Sequence, residues 1–312
     1  MTITLPPDVE ATIRTVFEER GERWLAELPA TVARLCRDWE LEVTGASFTG
    51  GTHSFAAPVR RGDGGVAVLK VPVTDEENAG EAAGMHCYRG DGAVHLYEFD
   101  PDSGALLLEW ARPGTPLVEQ PPIPLEGLPE NTGAVRTACE LYRRLRRPLT
   151  ALPPGYPAPP LVADIVAGWS NRLTDPAFTA YLTDSLSAPA RDRCAALAVP
   201  DGPEVIVNRD THLGNIVAAE REPWLLIDPK PYLGEAAFDS GFLVLKMVES
   251  YPDPDPRIAR RMIAAAADAL EVDRERTRDW AFLRAIEEIA WSLEDDRTTD
   301  ADRFRRVAAA LS

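Results

Sequence analysis

"VNRDTHLGNIVAAEREPWLLIDPK", residues 207–230, sets two aspartates, an asparagine and a histidine around short apolar runs. Carboxylates beside apolar segments are costly unless they are paired, hydrated or bound to metal. "NIVAA" (215–219) and "WLLID" (224–228) read as two strands joined by "EREP" (220–223), a hairpin. A hairpin brings its distant ends together, so Asn215 and Asp228 become neighbours, with Asp210 just ahead of them.

Asn215 and Asp228 would offer oxygen ligands of the hard type that magnesium prefers. Asp210 would sit beside such a metal without ligating it. This arrangement suits phosphoryl transfer, in which an aspartate takes the proton of an attacking hydroxyl while metal ions neutralise phosphate charge. The spacing also matches the kinase catalytic loop, H-R-D followed by four residues and an asparagine. Taken singly, Asp and Asn more often cap turns. The set of three at this spacing, after a sheet-rich half, favours the chemical reading.

Upstream, short apolar runs recur with glycine turns between them: "LEVTGASF" (41–48), "HSFAAPV" (53–59), "VAVLKVPV" (66–73), "AVHLYEF" (93–99) and "ALLLEW" (105–110). They predict an antiparallel sheet, with one helix in "EENAGEAAGMHCY" (76–88) against it. Lys70 lies in the third run, where a kinase-type lysine would pair with nucleotide phosphates and with a helix glutamate. Glu81 is the partner favoured by position; Glu76 and Glu77 compete with it, and a lone strand lysine is usually a solvated edge residue. "GASFTGGTHSF" (45–55) carries Gly45, Gly50 and Gly51 where a phosphate-covering loop would lie, without a G-x-G-x-x-G pattern. "LLLEWARPG" (106–114) then connects the halves, and backbone groups of Glu109, Trp110 and Ala111 are candidates to hydrogen-bond an adenine edge, a plain connector being the alternative.

Two amphipathic helices are expected ahead of the sheet, the first capped by Asp8 and bearing Val9, Ile13, Val16 and Phe17, the second bearing Val32, Leu35, Cys36 and Trp39. After the connector, residues 112–130 and 147–160 hold too many prolines for regular elements, and a clear helix lies between them over 134–145. The rest reads as helix around the one hairpin. The expected organisation is an α+β chain: residues 1–112 a nucleotide-binding lobe with leading helices, 113–312 a mostly helical catalytic and substrate lobe.

The 312 residues suffice for two lobes, and a composition 45% hydrophobic and 27% charged is globular rather than disordered. A net charge of -17 argues against nucleic acid, whose binders need a basic footprint. It suits a cationic small acceptor, and equally a merely well-solvated surface. Neither a membrane span nor a secretory leader is legible, which predicts a cytoplasmic protein. The four cysteines form no CxxC pair and indicate neither zinc nor a disulfide scaffold.

Segments 23–42, 68–110 and 208–239 and the tail motif "WSLEDD" (291–296) resemble, in order and spacing, the aminoglycoside phosphotransferases, and among them the streptomycin 6-kinase and hydroxyurea phosphotransferase group. The resemblance implies a two-lobed protein-kinase-like fold and ATP-dependent phosphorylation of an antibiotic hydroxyl. It makes Asp210 the catalytic base, Asn215 and Asp228 the Mg2+ ligands, and Lys70 the nucleotide-phosphate lysine. Asp239 would buttress the loop, and His212 would be structural or close to substrate.

One departure is Asn208, where that family usually has histidine; its amide reproduces part of the histidine's hydrogen bonding. Arg209 puts a cation beside the proposed base, which would weaken it as a proton acceptor. These features keep two rivals open: a hydroxyurea, aminocyclitol or other metabolite kinase of the same fold, and a catalytically weak nucleotide- or drug-binding protein. Glu287, Glu288, Glu294 and Asp295 in the last third are candidate partners for a cationic acceptor.

Overall fold

The computed structural model describes residues 3–49, 53–119 and 132–312. It opens with α1 (Pro7–Asp38), which holds both expected helices and bends sharply at Glu18, where φ is 46° and ψ is -126°. Asp8 lies in the first turn and makes no cap; Pro7, whose fixed φ suits a first helical position, starts the helix two residues earlier than the sequence suggests.

Five antiparallel strands follow: β1 (Leu41–Val43), β2 (Ser54–Arg61), β3 (Val66–Pro72), β4 (Leu96–Asp100) and β5 (Ala105–Glu109), in spatial order β1-β2-β3-β5-β4. Side chains alternate across a strand, so each face of this sheet has its own core. Ala67, Leu69 and Val71 of β3 and Leu107 of β5 pack with Val9, Ile13, Val32 and Leu35 of α1. Leu106 and Leu108 point the other way, onto Ala82, Met85 and Tyr88 of α2 (Glu81–Tyr88). Val68 packs on that second face too, and Lys70, two residues on, shares its side of the strand.

The chain crosses into β6 (Pro113–Pro116), which pairs with β8 (Ile216–Ala219). The sequence expectation of no regular element there fails because Pro113 and Pro116 sit at the edge of a small sheet, where a missing N–H costs least. Residues 120–131 of that proline-rich passage lie outside the described residues, as do Gly50 and Gly51. The predicted hairpin forms from β8 and β9 (Trp224–Leu226), and a further pair, β7 (Val205–Asn208) with β10 (Pro231–Gly234), flanks it. Helices α3 (Thr132–Leu145), α4 (Val162–Arg172), α5 (Pro176–Leu182), α6 (Asp184–Leu197), α7 (Phe238–Glu249), α8 (Pro256–Leu270), α9 (Arg274–Glu294) and α10 (Thr298–Leu311) make up the rest. Gly241 lets α7 lie tight on α9, since a Cβ there would stand 3.1 Å from Trp280 Cβ. The architecture is protein-kinase-like, a small antiparallel-sheet lobe on a mostly helical one. Among the described residues, no helix is long and apolar enough to cross a membrane.

Candidate active site

The hairpin register sets the centre of the site. Ile216 pairs with Leu226, and Ile227 N–H donates to the Asn215 carbonyl at 2.8 Å, so Asn215 and Asp228 stand at the same end of the hairpin. A short 3-10 turn, Leu213–Asn215, leads in, capped by His212, whose Nδ1 accepts from Gly214 N–H at 3.0 Å. Asn215 Nδ2 donates to Asp210 Oδ2 at 3.2 Å, and His212 Nε2 lies 3.4 Å from the same oxygen. Asp210, Asn215 and Asp228 are thus brought together as their spacing predicts, and His212 holds the loop.

Below the loop, Asn208 N–H donates to Asp239 Oδ1 at 2.7 Å, Thr211 Oγ1 donates to the Asp239 carbonyl at 3.0 Å, and Arg146 Nε reaches Asp239 Oδ2 at 3.3 Å. Burial pushes the Asp239 carboxyl up to about 6, with Arg146 and the Asn208 N–H opposing. Asn208 Nδ2 donates to Tyr88 Oη at 3.2 Å, while its buried Oδ1 has no partner. Half of the amide's capacity is therefore used.

Lys70 is 7% exposed, and its Nζ donates to both Glu81 oxygens, at 2.7 and 2.6 Å, and to Asp228 Oδ1 at 2.6 Å. Glu81, not Glu76 or Glu77, is the partner. Gly84 makes this reach possible: a Cβ there would stand 2.9 Å from Pro231, so only glycine lets α2 lie against the start of β10. Burial works against the lysine's charge, but Asp228 and Glu81 outweigh it and keep Nζ charged. Burial likewise works against the Asp228 carboxylate, and Lys70 and Lys230 together hold it well below the usual range. Asp228 also has φ of 46°, a left-handed conformation of the kind that non-glycine residues keep where the surroundings enforce it.

Lys230 is the residue that sequence reasoning did not single out; its one signal is its place two residues past Asp228. Its Nζ lies 3.6 Å from Asp228 Oδ1, with the side chain 15% exposed.

In the connector, one backbone donor is already engaged. Glu109 N–H already donates to the His95 carbonyl at 2.8 Å, and its carboxylate holds Arg221 and His95 N–H. Among the described residues, no backbone partner takes the N–H or C=O of Trp110 or Ala111. Trp110 meets Phe48 of the glycine-bearing loop edge to face, ring centroids 5.9 Å apart.

Arg209 turns away from Asp210. Its Nη2 donates to Glu287 Oε1 at 2.8 Å and its Nε lies 3.2 Å from Glu77 Oε1, with the guanidinium over Trp291. It forms one wall of a cavity of about 350 Å3 between α4, α5 and α9, with Trp169, Phe178, Glu287, Trp291 and Glu294 among the other walls. Glu287 also accepts from Trp169 Nε1 at 2.8 Å and from Arg284, and Glu294 pairs with Arg172. Glu288 is half-buried, its carboxyl pushed up by burial, and Asp295 is exposed and pairs with Arg297. Of the four acidic candidates, two reach the cavity.

Residues 38–296 match the profile of the aminoglycoside/hydroxyurea antibiotic resistance kinase family. The chain belongs to that family. It is 32% identical over 300 residues to a streptomycin 6-kinase of Streptomyces glaucescens, covering 94% of this chain and 92% of the relative. To a hydroxyurea phosphotransferase of Kitasatospora aureofaciens it is 32% identical over 296 residues, covering 93% and 81%. Among solved structures, aminoglycoside phosphotransferase APH(4)-Ia, in a ternary complex with AMP-PNP and hygromycin B, superposes with a TM-score of 0.59 at 14% identity over 89% of this chain and 97% of that one. Choline kinase LicA from Streptococcus pneumoniae gives 0.58 at 11% identity, over 92% and 99%. At such identities the superpositions carry the fold, and the fold is that of the antibiotic resistance kinase family.

Proposed function

We propose that the chain is an ATP-dependent phosphotransferase that phosphorylates a hydroxyl of an aminoglycoside-type, streptomycin-like antibiotic and so confers resistance. The observation that carries this reading is the convergence of Asp210, Asn215 and Asp228 with the Lys70–Glu81 pair at one cleft between sheet and helices. Residues 1–112 act as the nucleotide lobe and 113–312 as the catalytic and acceptor lobe. Trp110 and Ala111 offer the backbone edge for adenine, and Glu109 supports it through His95 and Arg221.

Asp210 is the proton acceptor. As the acceptor oxygen bonds to the γ-phosphorus of ATP, the bond from that phosphorus to its bridging oxygen breaks, the electron pair leaves on ADP, and the hydroxyl proton passes to Asp210. Asn215 orients Asp210 by the donation of its amide N–H, which leaves Oδ1 as its metal-binding atom. Asp228, kept ionised by its lysines, supplies the second oxygen. No cluster of three or more His, Cys, Asp or Glu with metal-binding geometry occurs among the described residues, and an asparagine–carboxylate pair fits magnesium, which keeps waters and phosphate oxygens in most of its positions. Bound there, Mg2+ neutralises charge on the phosphates. Positioning and electrostatics supply most of the rate, with alignment alone worth about 7–11 kcal/mol.

The cavity beside Arg209 is the acceptor site, and the net charge of -17 favours a cationic acceptor approaching it. One observation favours a neutral acceptor such as hydroxyurea: Glu287 and Glu294 are already engaged by arginines. Free cysteines, three of them buried, and dependence on ATP accord with a cytoplasmic setting.

Coupled ADP release with Mg2+ and ATP, against streptomycin and hydroxyurea, tests the reading. Turnover on one of them is expected, with Asp210→Asn lowering it by about 10³-fold or more while nucleotide still binds. Loss of turnover and nucleotide binding together in that variant would assign Asp210 another role.

A further inference from the structure

Asp228 Oδ1 serves two ammonium groups, Lys70 Nζ at 2.6 Å and Lys230 Nζ at 3.6 Å. The two lysines are not equivalent. Lys70 keeps a second carboxylate, Glu81, whatever happens at Asp228. Among the described residues Lys230 has no other ion pair, and 3.6 Å is too long for a hydrogen bond, so its three donors are unfilled. An ammonium group in a cleft, 15% exposed along its side chain and loosely held, is prepared to accept an anion. Its backbone, by contrast, is fixed: the Lys230 carbonyl accepts from Arg209 N–H at 2.9 Å, and Pro231 opens the β10 pairing with Asn208. Lys230 is therefore anchored through its backbone to the residue next to Asp210, whereas Lys70 comes from the sheet.

We propose that Lys230 is a second phosphate-binding residue, contributed by the helical lobe, whose ammonium contacts the γ-phosphoryl group in flight between nucleotide and acceptor. This rests on the phosphoryl-transfer reading. With a divalent cation held by Asp228, that carboxylate would no longer neutralise two lysines; Lys70 would stay with Glu81 and the nucleotide, leaving Lys230 for the terminal phosphate. Charge that builds on the transferring group is then met by a cation already in position.

Calorimetry with Mg2+ and either AMP-PNP or ADP on the intact protein, wild type against Lys230→Met, separates the possibilities. The expected result is AMP-PNP binding weakened about tenfold or more in the variant, with ADP binding within about twofold of wild type. Lys230→Arg should recover part of the AMP-PNP affinity, and kcat for Lys230→Met should fall about 100-fold. Equal losses for both nucleotides, or no loss for either, would overturn the assignment of Lys230 while leaving the kinase reading intact. A wild type that binds neither nucleotide would overturn both. A melting temperature unchanged in Lys230→Met shows that any selective loss comes from the phosphate contact and not from unfolding.

Discussion

Asp228 and Asp239 flank the loop that carries Asp210, and their surroundings drive them in opposite directions. At the Asp228 end, two lysines overcome burial and hold the carboxylate ionised with an oxygen facing the cleft. At the Asp239 end, one arginine at 3.3 Å and one backbone N–H do not overcome it, and the carboxyl sits near 6. The difference lies in the number and closeness of the cations and in exposure, since the Asp239 side chain is sealed from solvent while that of Asp228 is 41% exposed. Asp228 is met by ammonium groups on flexible stems, Asp239 by backbone and a planar guanidinium.

The sharpest way to break this contrast is Asp228→Asn. Turnover should fall by about 10³-fold, with some loss of stability as well, since the lysines that favour the ionised carboxylate lose it while Lys70 keeps Glu81. If ADP-release assays find the variant active, Asp228 is not the metal-facing carboxylate.

Asp239→Asn tests the other end through pH. The folded protein binds a proton at Asp239 up to about 6, while the unfolded chain releases it near 3.8. Between those values the folded state holds more protons, so this group's contribution to stability falls as pH rises from about 4 to 6, by about 3 kcal/mol in all. Asp228 adds no slope there, since its stabilisation is lost only at lower pH. Melting curves should show the wild-type decline over that window reduced in the variant; identical profiles would mean that Asp239 is ionised throughout.

The smallest effect is expected for Tyr88→Phe, which leaves Asn208 Nδ2 without its partner: about 1 kcal/mol of stability by denaturant unfolding, with nucleotide binding kept. A larger loss would make α2 a firmer support of the loop than one hydrogen bond implies.

Legibility follows the same division. Asp210, Asn215 and Asp228 could be read because hairpin register and loop spacing are local, and Lys70 with Glu81 because strand alternation faces the lysine toward the next helix. What escaped depends on partners far along the chain. Arg209 was read as a neighbour of Asp210, yet Glu77 and Glu287 turn it away; the pairing of the Glu109 N–H with the His95 carbonyl was likewise not legible. The unexpected β7–β10 pair is likewise non-local, joining residues on either side of the hairpin.

Connectivity draws a boundary near residue 112, but packing draws another. Ala82, Met85 and Tyr88 of α2 share one continuous apolar cluster with Leu141, Tyr142, Ile206 and Leu226, whereas α1 and the far face of the sheet have a separate one. The helix that carries Glu81 is thus inherited with the larger lobe. Exchange of the first 112 residues between relatives would transplant half an interface, since the inner face of α2 packs on residues that lie beyond residue 112.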